Sequence, residues 1–436
     1  MARFSRLLVI ALLLFAAGCA EQESPGPQHR RLPSGLTIIA KENGAADVVS
    51  VQVWVRDGVV YESPADARVS GVLAATVLSA STTRGRDEMR RAVEAVGGVL
   101  GKSVSEDHVC YEATVPAKHL DLALDVLSDA VLHPALTDEE LERGKAGMLE
   151  QSEALLTRPV DLAVTLCLRS LMAGHPTSRP AATSPSDLAS VDAGDVRSWW
   201  SKHYVGPNMV VVVVGSVDPA EAADRAEEAF AGVSGGEKAR PWSDAVTWPT
   251  RPARIVESVK AGRAVMVIGF PGPGVTDADH MAADVLMMAL ANGRSSPLSR
   301  VLVDERGLAS SVGGGWYTRT QASPCFVWME LDPQNVAAAE DAVVELIGSL
   351  AETPLTAEDL ERGKALLSSY MVFASETAPQ QAAYEGYWFI VAGEGYADSY
   401  LERIREVTVE DLRGAVERYL RLDSRVAVVL EPSWVM

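Results

Sequence analysis

The sequence predicts an α+β chain made of two homologous domains, each an antiparallel-rich mixed sheet with helices packed on one side. Three observations carry that prediction. The phrase "LTDEELERGKA" at Leu136–Ala146 returns as "LTAEDLERGKA" at Leu355–Ala365, with nine of eleven residues identical. Each copy follows a strand of period two and an amphipathic helix of period 3.6, "VCYEATVP" (Val109–Pro116) in the first half and "CFVWMELDP" (Cys325–Pro333) in the second. Each half then closes on a capped helix, a turn and a wholly apolar strand, within Val191–Pro219 and Val407–Pro432.

In chain order, residues 1–18 carry Arg3 and Arg6 ahead of an eleven-residue apolar run, Leu7–Ala17. That run is too short to span a bilayer and has the flanks of a secretory signal. It ends in small residues directly before Cys19, which resembles a bacterial lipobox, so Cys19 is expected to carry lipid. The polar stretch 19–31 then reads as a tether. Residues 32–231 form the first expected domain, with a core strand at Val48–Gly58. The Gly- and Pro-rich stretch 232–254 reads as a linker. Residues 255–436 form the second domain, opened by the core strand "RAVMVIGFPGPG" (Arg263–Gly274). Thr137 and Thr356 each stand before an acidic first turn, where they are expected to cap the repeated helices.

Composition excludes some functions. The chain has 39 basic and 59 acidic residues, a net charge of −20, and losing residues 1–18 would remove only Arg3 and Arg6. Nucleic acid is therefore not an expected partner, nor is adhesion to anionic lipid. Cys110, Cys167 and Cys325 sit in apolar surroundings without a CxxC pair and read as buried thiols.

Four segments stand out: "LPSGLTII" (Leu32–Ile39), "VWVRDGVVYESP", "KHYVGPNMVVVVVGSVDP" and "SSPLSRVLVDERGLASSV". Together they resemble the M16 peptidase family, which includes the pitrilysin, insulinase and mitochondrial processing peptidase types. The resemblance implies two domains facing each other around a chamber that holds unfolded peptide. It also implies an inverted zinc motif, H-x-x-E-H, on the helix after Glu62 and Pro64. Histidines four apart share a helical face and can grip one zinc ion, while the adjacent glutamate activates its water. The matching positions in "VSGVLAATVLSAST" hold Gly71, Ala74 and Ala75, and no histidine occurs between His29 and His108. The family's third ligand would fall near Glu150 or Glu153. Its arginine and tyrosine of the second domain fall on Val303 and Ser310, with Tyr317 and Arg319 out of register.

Other chemistry was weighed against plainer roles. His280 and Asp284 are four apart, but they begin a helix where aspartates cap. His108 and Cys110 lie on one strand face, a conceivable nucleophile pair that packing also explains. Gly313–Gly315 lacks the lysine and strand–helix setting of a phosphate loop. His119, His175 and His203 have no partner at ligand spacing.

The expectation is thus a non-catalytic M16 homologue that takes no cofactor. It would be anchored by lipid to the periplasmic face of the outer membrane in a bacterial envelope, and would bind unfolded peptide or a second M16 chain. The alternatives are an active zinc endopeptidase with displaced ligands and a purely structural scaffold subunit.

Overall fold

Strands and turns dictate two sheets of the same design. The computed structural model describes residues 27–179, 184–242 and 246–433. The first sheet has strands β1 (Gln28–Arg31), β2 (Thr37–Glu42), β3 (Val48–Val55), β4 (Val99–Val104), β5 (Val109–Pro116) and β6 (Met209–Gly215), in the order β1-β2-β6-β3-β5-β4. The second has β7 (Ala253–Val259), β8 (Ala264–Phe270), β9 (Ala309–Trp316), β10 (Cys325–Leu331) and β11 (Val426–Pro432), in the order β7-β11-β8-β10-β9. Strand β6 runs parallel to β2 and antiparallel to β3, and β11 runs parallel to β7 and antiparallel to β8. Strand β1 corrects the expected tether: residues 28–31 pair antiparallel with β2 and belong to the sheet. Cys19 lies outside the described residues.

The helices of the first half are α1 (Val69–Thr76), α2 (Glu88–Glu94), α3 (Leu120–Leu132), α4 (Asp138–Leu155), α5 (Pro159–Leu171), α6 (Ala193–His203) and α7 (Pro219–Ala229). Those of the second are α8 (His280–Ala291), α9 (Val336–Ser349), α10 (Ala357–Phe373), α11 (Ala378–Val391), α12 (Tyr396–Glu406) and α13 (Val409–Tyr419). Thr137 and Thr356 cap α4 and α10 by accepting from the backbone N–H of Glu140 and Asp359. The repeated phrase has a packing reason. A Cβ on Gly144 would meet Thr76 Oγ1 of α1 at 2.6 Å, and one on Gly363 would meet Ala289 Cβ and Val285 O of α8 at 2.9 Å. In both halves the glycine lets the phrase helix lie directly on the helix that follows the core strand.

Period-two alternation splits each sheet between two cores. Val49, Val51, Val53, Val211 and Val213 bury themselves among the first half's own helices. Trp54, Cys110, Val210, Val212 and Val214 face the other way and join a core with α11 of the second half. Reciprocally, Val265, Val267, Val426 and Val428 pack with Ala163, Cys167 and Leu171 of α5, a first-half helix. Each half therefore lends one helix to the other's sheet, an addition to the one-sided packing expected. Two glycines mark the contacts: a Cβ on Gly386 of α11 would fall inside 3.0 Å of the Trp54 indole, and one on Gly269 of β8 inside 3.0 Å of Cys167 and Leu171. Polar bonds add to the seam. Gln52 Nε2 donates to Pro379 O at 2.9 Å, Arg56 Nη2 to Phe389 O at 3.1 Å, and Lys41 pairs with Glu385 at 3.1 Å.

Candidate functional site

Helix α1 is held at its start by a buried acid. Glu62 is 1% exposed and accepts from Ser70 Oγ at 2.7 Å and from the N–H groups of Arg68 and Ser70 at 3.1 Å. Arg179 completes it at 3.0 Å. Negative charge at a helix N-terminus is favourable, so Glu62 fixes where α1 begins. At the other end, Lys102 of β4 donates from Nζ to the carbonyls of Ala74 and Ala75, both at 2.8 Å. These carbonyls lie in the last turn, where a cation is favoured.

The three motif positions sit between those anchors. Ala74 is fully buried in the first core, while Gly71 and Ala75 are half-buried toward α4. A Cβ on Gly71 would stand 2.8 Å from Met148 Cε, and a Cβ on Gly144 would stand 3.3 Å from Ala75 Cβ. The face of α4 turned to α1 is thus Gly144 and Met148. Glu150 and Glu153 are exposed. At about 100° per residue they point roughly 200° and 140° away from Met148 around the helix. In the second half Val303 packs half-buried against the core, and exposed Ser310 donates to Glu330 O at 3.0 Å.

The remaining candidates resolve into structure. His108 donates from Nδ1 to Asp107 Oδ1 at 2.8 Å and is enclosed by Trp54 and Tyr387. Asp107 in turn accepts from Thr320 N and Oγ1 across the halves at 3.1 and 3.0 Å, and Arg319 pairs with Glu106 at 2.7 Å. Cys110 is buried, which pushes its thiol up, and its sulfur donates to Gln52 Oε1. His280 and Asp284 are buried with 3.9 Å between Nε2 and Oδ2, and Tyr400 donates to Asp284 at 2.7 Å. The expected aspartate cap there is not made. The Asp279 side chain makes no bond to its own helix and instead holds Arg418 and Tyr419 of α13. Gly313, Gly314 and Gly315 run through β9, where a Cβ would strike Trp328, Ala291 and Phe326. His175 caps a short turn, with Nδ1 2.8 Å from Thr177 Oγ1, and His119 stands just before α3. His203 stacks on Trp199 with ring centroids 4.0 Å apart, and burial lowers its pKa to about 4. Tyr317 lies over Phe326.

Sequence reasoning passed over a cavity of about 330 Å³ beside the end of α1. Its walls include Ala75, Ser79, Arg90, Leu100 and Lys102. The signal was present in β4, where Leu100 and Lys102 alternate onto the face toward α1.

Comparison with known proteins agrees with this architecture. Residues 37–183 match the family model described as insulinase (peptidase family M16), and residues 190–367 match the peptidase M16 inactive domain. The chain belongs to the M16 peptidase family. It is 27% identical over 422 residues to an uncharacterized zinc protease of Mycobacterium leprae, covering 95% of this chain and 94% of that one. An uncharacterized zinc protease of Bacillus subtilis is 21% identical over 398 residues, 91% of this chain and 96% of the other. Among solved structures, a protease from Helicobacter pylori superposes with a TM-score of 0.82 at 18% identity, over 94% of this chain and all of that one. A peptidase M16 inactive domain from Pseudomonas fluorescens gives 0.81 at 17% identity, over 94% and 98%.

These names correct one expectation. The reading that the chain takes no cofactor does not stand, because relatives along nearly its whole length are named zinc proteases, and zinc is the metal that kinship points to. The residues in place do not fit that metal. Gly71, Ala74 and Ala75 offer no lone pair, and the thioether of Met148 stands where a ligand from α4 would. Among the described residues no three His, Cys, Asp or Glu side chains gather around a common point. No catalytic step is derived through zinc.

Proposed function

We propose that this chain is a non-catalytic member of its family that binds an extended peptide and works beside a second M16 chain. One observation carries the reading. The places where the family keeps its imidazoles are filled by a helix contact, with Gly71 against Met148 and Ala75 against Gly144, and the place of the general base is Ala74, buried in the core. A peptide has somewhere to pair. Strand β4 is one of the two outer strands of the first sheet, hydrogen-bonded among the described residues to β5 alone, and Val99 and Val104 on it are 66% and 54% exposed. An unpaired edge offers a ladder of N–H and C=O groups that an added strand can satisfy. In such a pair, hydrolysis would belong to the second chain.

The same proposal places the protein in a bacterial envelope, at the periplasmic face of the outer membrane, through lipid on Cys19. The names of the relatives favour a second reading, an active zinc peptidase with displaced ligands; the absence of any imidazole on α1 weighs against it.

Two measurements test the proposal. Native purification from membranes should bring down an M16 chain with an intact H-x-x-E-H, and Cys19→Ala should release the protein from the membrane fraction. A strict monomer that cleaves peptide without help contradicts the division of labour. A Cys19→Ala protein that still sediments with membranes contradicts the anchor.

A further inference from the structure

We infer that the cavity beside α1 is a carboxylate pocket, which receives an Asp or Glu side chain of an extended peptide paired to β4. The inference rests on the peptide-binding reading above and assigns it a preference.

The cavity lies between four elements: the edge strand at Leu100–Lys102, the end of α1 at Ala75–Ser79, the start of α2 at Asp87 and Arg90, and the first turns of α4 at Glu140 and Arg143. A strand added beside β4 would lie about 4.8 Å from it, with alternate side chains on the face that Leu100 and Lys102 share. One of those side chains would stand over the cavity. About 330 Å³ is ample for a carboxylate side chain and the waters around it.

The walls have the charge to hold it. Four lining side chains are basic, Arg86, Arg90, Lys102 and Arg143, and two are acidic, Asp87 and Glu140. Arg86 is engaged by Glu139 and Glu140, and Arg143 by Glu139. Lys102 and Arg90 have no acidic partner among the described residues. Lys102 spends two of its three N–H donors on the carbonyls of Ala74 and Ala75, leaving one for a ligand. Burial, with Arg90 nearby, lowers its pKa to about 8, which marks an ammonium lacking a counter-charge. A carboxylate there would supply it and take a second charge-assisted bond from Arg90. The bulk field cannot be the source of such a preference, because a chain of net charge −20 repels acidic peptides at long range.

The test uses the full chain and two labelled, unstructured Thr/Val/Ser-rich peptides, one with a single glutamate and the other with glutamine in its place. Fluorescence anisotropy at low salt and pH 7 should show the glutamate peptide bound roughly tenfold more tightly. Lys102→Gln and Arg90→Gln should each bring the two affinities together. Arg90 is exposed on α2, so its variant keeps the test if Lys102→Gln does not fold. Equal affinities in the unaltered protein would overturn the pocket while leaving peptide binding intact. Failure of both peptides to bind would overturn peptide binding, and the pocket with it.

Discussion

Replacing Gly386 by alanine tests the exchange of helices that joins the two halves. The new methyl would fall inside 3.0 Å of three atoms of the Trp54 indole. That ring has little freedom to retreat. It is 5% exposed, its N–H donates to Gln52 Oε1 at 2.9 Å, and His108 lies against it with centroids 5.2 Å apart. Overpacking of this kind costs about 1–3 kcal/mol, and a rigid neighbour sets it near the upper end. Alanine in the helix returns about 1 kcal/mol. The net is a loss of about 2 kcal/mol. Gly147→Ala is the matched control, since nothing lies within 4 Å of its Cβ on α4 and the helix term alone should stabilise by about 1 kcal/mol. Urea denaturation followed by far-ultraviolet circular dichroism should separate the two variants by about 3 kcal/mol. Gly386→Ala as stable as Gly147→Ala would refute the seating of α11 on Trp54.

Two further predictions concern pH. His203 is buried with its pKa lowered to about 4, so the unfolded chain binds the extra proton first as pH falls. Its contribution to stability should therefore drop between about pH 6.5 and 4, by up to roughly 3 kcal/mol, and the difference between the unaltered chain and His203→Phe in a pH series of urea midpoints should change by that amount. Asp57 is fully buried, accepts from Trp199 at 2.7 Å and Tyr204 at 3.2 Å, and burial raises its pKa to about 7. The folded state then holds the proton longer than the unfolded one. The contribution of Asp57 to stability, opposite in sign to that of His203, should fall as pH rises from about 4 to 7, by up to roughly 4 kcal/mol, and then level. The advantage of Asp57→Asn over the unaltered chain should grow across that window; an advantage independent of pH would contradict an ionisable Asp57.

Much of the fold was legible because its signals are local. Val109–Pro116 alternates and is β5; Thr137 and Thr356 stand before acidic turns and cap α4 and α10. The repeated phrase was legible as a duplication, but its purpose was not, since Gly144 and Gly363 matter through helices some seventy residues earlier in each half. The helix exchange was hidden for the same reason. In "YEGYWFIV" nothing local says that Gly386 faces Trp54 of the other half. Strand β1 was hidden by composition, as "QHRR" is polar and enters the sheet only because β2 offers an edge. At the candidate site, Gly71, Ala74 and Ala75 could be placed from sequence, whereas Met148 could not. Counting along α4 gives distance but not the angle at which it meets α1, so Glu150 and Glu153 were natural expectations that the helix turns outward.

The most direct measurement of the central claim is turnover of a quenched, unfolded peptide by the purified chain supplied with zinc, alone and together with an M16 chain that carries an intact H-x-x-E-H. The chain alone should show no cleavage above buffer, and the mixture should cleave faster than the second chain by itself. Cleavage by the chain alone, abolished by a chelator and restored by zinc, would contradict the claim.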